Sequence, residues 1–203
     1  MTDLFCAATL LVARHGDASY VETCFSDEGG WLSPEGRAQA RALAARVADR
    51  KIARVWCSDT SRAAQTAEIV AAELGLTAGL AVVACKALRE VDAGDLVGQP
   101  FEIDKLRAVT NAWFDGDLAA EFPGGESGAD VVARYGSELN AIADEHRGES
   151  VLVIVHQTAA GITVPWLAEN VSLSSGRGQL LGNGEYVEMR VDADGWRVVG
   201  WSG

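Results

Sequence analysis

The chain has 203 residues, a formal net charge of −12, and 48% apolar and 23% charged residues. A chain of this length buries a sizeable core without cross-links, and the composition excludes collagen-like, disordered and disulfide-dense classes. The acidic balance argues against a nucleic-acid partner, because such surfaces need Lys and Arg to replace phosphate counterions. An acidic protein that handles a phosphorylated substrate must therefore gather its few cations into one pocket, and Arg14 and Arg62 are the first candidates. No apolar run reaches the length of a membrane span, and "MTDLFCAATLLVARHG" lacks the marks of a signal peptide. No membrane partner and a cytoplasmic location are expected. Cys6, Cys24, Cys57 and Cys85 are scattered, which suits free thiols in a reducing compartment.

The apolar run "AATLLVA" reads as a strand buried on both faces, ending in "RHG". A polar loop leads to "LSPEGRAQARALAARVADR", a helix with Ser33 as cap and Pro34 at its first position. "ARVWCS" reads as a second strand, "DTSRAAQTAEIVAAELGL" as a helix stopped by Gly75, and "LAVVAC" as a third strand. Residues Phe101 to Gly125 form the least regular stretch, with one short helix and the turn-forming "FPGGES". Ser127 or a nearby residue starts the helix "GADVVARYGSELNAIADEHRG", and "SVLVIV" is a fourth strand ending at His156. "TAAGITVPWLAEN" reads as a helix interrupted near Pro165, and "GEYVEMRVDADGWRVVGWS" as a closing hairpin around Asp194-Gly195. Strands alternating with helices predict a three-layer α/β/α sandwich with a mostly parallel central sheet. One domain over residues 1–203 is expected, with a lid segment at about 101–125.

Ligands of such sheets bind beyond the carboxyl ends of the strands. Arg14, His15 and His156 stand at two of those ends, and Arg62 opens the helix after a third. Two arginines, two histidines and a nearby carboxylate share a purpose in phosphoryl transfer. Neutral imidazole is a nucleophile near pH 7 when its other nitrogen is held as a donor, and a backbone carbonyl in the Gly16 turn can hold His15. Arginine forks match phosphate oxygens and the charge that builds on them during transfer. His156, protonated beside a phosphate dianion, adds a positive donor. Glu90 is the chosen proton donor to the leaving alkoxide, with Asp92 and Asp95 as competitors. His146, near the polar end of a helix, reads as solvated and without a role.

"RHG", "LSPEGRAQA", "CSDTSRAAQTA", "LREVDAGDLVGQ", "FPGGES" and "VIVHQT", in that order, resemble the histidine phosphatase superfamily, also called phosphoglycerate mutase-like. The resemblance implies that His15 is phosphorylated, that Arg14, Arg62 and His156 form the phosphate pocket, and that Glu90 donates the proton. It implies two steps, transfer to the histidine and then to water or another hydroxyl, with no metal or other cofactor.

Three departures stand out. Where many relatives continue with Glu-Thr and then Asn, this chain has Asp17, Ala18 and Val21, so a polar contact is missing. Relatives usually carry glycine after the second histidine; here Gln157 can narrow the pocket or donate to the substrate. The stretch 101–125 holds only Lys105 and Arg107 as basic residues, whereas mutases carry a larger basic insertion there. Hydrolysis of a small phosphorylated metabolite is favoured over mutase-type transfer or phosphate binding without catalysis. Trp113, Phe114 and Phe122 form either an apolar lid or part of the core, and Trp31 has the same two readings. An apolar patch on a predicted helix can be core or a homo-oligomer interface. Cys57 is not a phosphatase nucleophile, because Arg62 falls one residue too early for a cysteine-phosphatase loop; it reads as a small buried residue.

Overall fold

The computed structural model describes residues 6–20, 23–26, 29–76, 81–173 and 180–202. In chain order the strands are β1 (Ala8–Arg14), β2 (Ala18–Ser19), β3 (Trp31–Leu32), β4 (Ile52–Ser58), β5 (Val82–Cys85), β6 (Ser150–Val155), β7 (Tyr186–Asp192) and β8 (Gly195–Trp201). The helices are α1 (Pro34–Val47), α2 (Ser61–Glu73), α3 (Ile103–Phe114), α4 (Gly128–Glu145) and α5 (Gln157–Leu167). Six strands form one sheet in the order β5-β4-β6-β1-β7-β8. The first four run parallel and the last two antiparallel, so the sheet is mixed with a parallel body.

The alternation inside β1 explains the layers. Leu10 and Val12 face a core shared with α4, α5, Trp113 and Phe122. Leu11 and Ala13 face the other core, made with α1 and α2. Successive side chains of a strand point to opposite faces, so a strand covered by helices on both sides must be apolar throughout. The same holds for β6, where Val151 to Val155 are all fully buried. Each such Val or Leu contributes about 1.5–3 kcal/mol of burial free energy.

Helix starts follow their caps. Ser33 Oγ accepts from Gly36 N at 3.0 Å, with Pro34 at the first position of α1. Ser127 and Asp130 form a reciprocal capping box at the start of α4. The helix read as interrupted near Pro165 runs through that residue to Leu167. The missing proline N–H falls in the last turn, where it removes one intrahelical bond near the helix end.

The region expected to be least regular contains α3, a full twelve-residue helix. Trp113, Phe114 and Phe122 belong to the core: Trp113 and Phe122 are fully buried, meet edge to face at 5.5 Å, and Trp113 Nε1 donates to Ala120 O. They do not cover the site. Trp31, by contrast, is 55% exposed. His146 is buried rather than solvated, accepting from Trp56 Nε1 at 3.2 Å and pairing through Nδ1 with Glu149 at 2.8 Å. Cys6, Cys24, Cys57 and Cys85 are all free thiols. No described helix is long and apolar enough to cross a membrane.

Candidate active site

Three neighbouring parallel strands, β4, β6 and β1, end on one rim of the sheet. The residues just past those ends are Arg62, His156 and His15. Their convergence is a product of topology: a parallel sheet delivers every carboxyl end to the same edge.

His15 leaves β1 with its main-chain N donating to Val155 O and its carbonyl accepting from Asn183 Nδ2, so its backbone is held from two sides. Its ring Nδ1 lies 2.7 Å from Gly16 O, and its Nε2 accepts from Arg62 Nε at 3.3 Å. A carbonyl can only accept, so the proton is assigned to Nδ1 and the lone pair to Nε2. Burial lowers this imidazole to about 3; the Gly16 bond opposes that shift, and the Arg62 and Arg14 charges reinforce it. His15 is therefore neutral at pH 7.

The "RHG" and "SPEGR" glycines meet here. A Cβ on Gly16 would lie 2.4 Å from Gly36 O, and one on Gly36 would lie 2.0 Å from Asp17 O. Gly16 does not have a left-handed φ. Its need for glycine is the contact with α1, not the turn.

Arg62 is nearly fully buried and spreads its fork over three acceptors: His15 Nε2, His156 Nδ1 at 3.3 Å, and Gly29 O. The two imidazoles stand edge to face with centroids 5.1 Å apart. With Nδ1 accepting from Arg62, the proton of His156 is assigned to Nε2, which faces Thr60 Oγ1 at 3.4 Å. Burial, with Arg62 and then His15 acting the same way, lowers His156 well below the usual histidine range. A protonated His156 is thus not its resting state. Arg14 donates through Nη1 to Leu181 O at 3.1 Å, while its buried Nε has no partner among the described residues. An orphaned guanidinium donor beside two imidazoles suits an anion.

Glu90 follows β5 and a 3₁₀ turn at 86–88. Its carboxylate accepts from Ala159 N at 2.9 Å, Thr158 N at 3.1 Å and its neighbour Val91 N at 3.1 Å, and so sits on the N-terminus of α5 directly after His156. Its charge also acts on Arg14, opposing the depression that burial causes there. The competitors point elsewhere: Asp92 accepts from Gly94 N, and Asp95 packs against Gly124. Gln157 turns its amide to Leu181 O at 3.1 Å, the same carbonyl that Arg14 uses. Asp17 accepts from Ser33 Oγ at 2.6 Å and so ties the loop to the cap of α1. Val21 lies outside the described residues. Cys57 is fully buried, and burial pushes its thiol up to about 12, which leaves it inert.

Several contacts were absent from the sequence reading. Thr60 lies inside "CSDTSRAAQTA" and could have been found there. Asn183, Leu181 and Gly29 contribute from segments with no motif. Tyr20 places its ring over the Arg62 guanidinium at 5.9 Å.

A match to the histidine phosphatase superfamily (branch 1) covers residues 10–203. The chain belongs to the histidine phosphatase superfamily. It is 30% identical to the phosphoglycerate mutase-like protein 4 of Arabidopsis thaliana, over 96% of this chain and 84% of that protein. It is 32% identical to the probable phosphoglycerate mutase GpmB of Yersinia pestis, over 64% of this chain and only 60% of that protein. Among solved structures, a mycobacterial glucosyl-3-phosphoglycerate phosphatase superposes with a TM-score of 0.74 at 26% identity, covering 97% of this chain and 99% of that one. Proteins named for phosphoglycerate mutases and for a phosphatase thus both stand among the relatives.

Proposed function

We propose that the protein hydrolyses phosphomonoesters of small metabolites through a phosphohistidine formed on His15. The observation that carries this reading is the state of the His15 ring. It is neutral, its Nδ1 is tied to Gly16 O, and its Nε2 lone pair lies among guanidinium donors. A neutral nucleophile needs no base, and the donors that surround it match the charge of a phosphoryl group.

In the first step Nε2 attacks phosphorus in line, the Nε2–P bond forms and the P–O ester bond breaks. Arg14, Arg62 and His156 hold the non-bridging oxygens, and the orphaned Arg14 Nε gains an acceptor. A phosphate dianion beside His156 favours its charged form, opposing the depression present at rest. Glu90, as the carboxylic acid, gives its proton to the departing alkoxide. In the second step Glu90 takes a proton from water, which attacks phosphorus and releases inorganic phosphate from Nε2. The Gln157 side chain is tethered to Leu181 O, the carbonyl that also accepts from Arg14.

Hydrolysis is favoured over transfer to a second sugar acid by the scarcity of cations near the site. Lys105 is exposed and paired with Glu102 at 2.9 Å, and Arg107 is exposed. The mutase names among the relatives keep transfer as the second reading. A panel of phosphomonoesters that includes 3-phosphoglycerate and glucosyl-3-phosphoglycerate separates the two. Release of inorganic phosphate, lost in His15→Ala, supports hydrolysis; interconversion of phosphoglycerates without release supports transfer. Trapping of an acid-labile, base-stable phosphoprotein during the burst is the expected signature of phosphohistidine. Absence of any phosphoprotein would sink the covalent mechanism.

A further inference from the structure

Residues 89–93, which carry Glu90, belong to no helix or strand. Backbone carbonyls there have no ladder to satisfy them, so other donors must hold the segment in place. For the carbonyls of residues 87–90 those donors come from one dipeptide on α4. Arg134 Nη1 donates to Ala87 O at 2.7 Å and to Arg89 O at 3.0 Å, and Arg134 Nη2 approaches Glu90 O at 3.5 Å. The intervening carbonyl, Leu88 O, accepts from Tyr135 Oη at 2.7 Å. Four consecutive carbonyls are thus gathered by two adjacent side chains. Tyr135 is fully buried, which pushes its phenol well above the usual range and keeps it a donor.

The Arg134 fork is itself fixed. Glu126 accepts from Arg134 Nε through Oε1 and from Nη2 through Oε2, both at 2.7 Å, and the same Oε2 accepts from Asp92 N at 2.9 Å. Glu126 belongs to "FPGGES", a motif that the phosphate pocket leaves unexplained. Its neighbours serve the same contact: a Cβ on Gly125 would lie 2.4 Å from Asp92 O, and Pro123 O accepts from Asp95 N. Both partners of the pair are mostly covered, with side chains 23% and 19% exposed. From the far side, Arg89 holds Asp59 through two bonds, beside Thr60 of the pocket.

We propose that Arg134 and Glu126 are positioning residues for the proton donor: they fix the backbone of residues 87–92 so that the Glu90 carboxyl reaches the leaving oxygen. The inference rests on the reading of Glu90 as that donor. A general acid acts only within hydrogen-bond reach of its target, and a displacement of the loop forfeits its contribution while the phosphate pocket and nucleophile stay intact.

The consequence depends on the leaving group. An alkoxide leaves poorly without a proton, whereas p-nitrophenolate needs none. The test compares kcat/KM for p-nitrophenyl phosphate and for the alkyl phosphate that the wild type hydrolyses fastest, because kcat/KM covers only the steps through departure of the alcohol. Glu90→Gln is expected to lose about 100-fold on the alkyl ester and less than about 3-fold on the aryl ester. Arg134→Met and Glu126→Gln are expected to show the same split, at about 30-fold and about 10-fold on the alkyl ester. General loosening of the fold would lower both substrates alike. If Glu90→Gln shows no split, the assignment of the donor fails and takes the inference with it. If Glu90→Gln shows the split while the Arg134 and Glu126 variants lower both esters equally, or neither, the positioning role is overturned and Glu90 stands. Should Arg134→Met lose its cooperative thermal transition, Glu126→Gln, close to isosteric, decides by the same criterion.

Discussion

The floor of the site and the segment beside it are built by different means. His15, Arg62 and His156 are 5%, 4% and 1% exposed, come from three strand ends, and bond to one another. Tyr20 and Trp31 are 53% and 55% exposed and lie on or next to the two-residue strands β2 and β3. Sheet geometry sets the floor, so its chemistry follows from the fold. Ring packing sets the flank: Tyr20 lies over Arg62, and a Cβ on Gly30 would come within 2.8 Å of that ring. The difference teaches where to look for each property. The proposed function then assigns rate to groups whose positions the core determines, and selectivity to groups that the core leaves half in water.

The largest effect should come from the floor. In the proposed mechanism His15→Ala removes the atom that accepts phosphorus, and kcat is expected to fall by on the order of a thousandfold or more. Phosphate release and phosphoprotein trapping both check it. Arg62→Lys keeps a charge but loses the fork that serves His15, His156 and Gly29 at once, and a loss of about 100-fold in kcat/KM is expected. A variant that kept wild-type rates would show that the charge of Arg62 matters and its geometry does not.

The floor should also reveal itself in the pH dependence of stability. His15 falls to about 3 in the fold against 6.5 unfolded, and His156 is lowered as well. Between those values the unfolded chain binds more protons than the folded one, so stability rises with pH in that window. The stability is fully present above about pH 6.5 and is lost as pH falls. At pH 5 the cost is about 2 kcal/mol for His15, from about 1.4 kcal/mol per pH unit below the unfolded value. Urea midpoints measured from pH 7.5 to 5 should fall in the wild type and stay flatter in His15→Gln. Equal slopes would mean that the floor tolerates a charged imidazole.

What could be read from the chain divides along the same line. Strands buried on both faces appear as unbroken apolar runs, so β1 and β6 and the residues that follow them were visible. Ser33 and Ser127 announced their helices through capping chemistry. Carboxylate chemistry is common to Glu90, Asp92 and Asp95 and does not separate them, since the seat of Glu90 on α5 depends on amides 68 and 69 positions away. The Arg134 contacts to the Glu90 loop span 44 to 47 positions, and no local pattern encodes them. His146 failed as a solvated residue because its covering partner, Trp56, is 90 positions distant. The aromatics of 101–125 carried no mark of their direction, and only packing against Phe122 and α4 sends Trp113 inward. The expected missing polar contact at positions 17, 18 and 21 is partly explained: Asp17 is spent on Ser33, and Ala18 pairs with Leu32.

The smallest effect tests the flank. An exposed ring over a guanidinium contributes about 0.5–1 kcal/mol, or roughly 2- to 5-fold in an equilibrium. Tyr20→Ala should therefore change KM by about that factor while leaving kcat within about twofold, since the ring supports Arg62 without touching His15. The sign of the KM change should depend on the alcohol. Substrates with flat or apolar leaving groups lose a contact surface, while small polar ones gain access to Arg62. Tyr20→Phe keeps the ring and should match the wild type, so a deficit there would assign the work to the phenol oxygen. A fall in kcat/KM as large as that of Arg62→Lys would erase the division between floor and flank, and would place Tyr20 among the groups that hold the phosphoryl group.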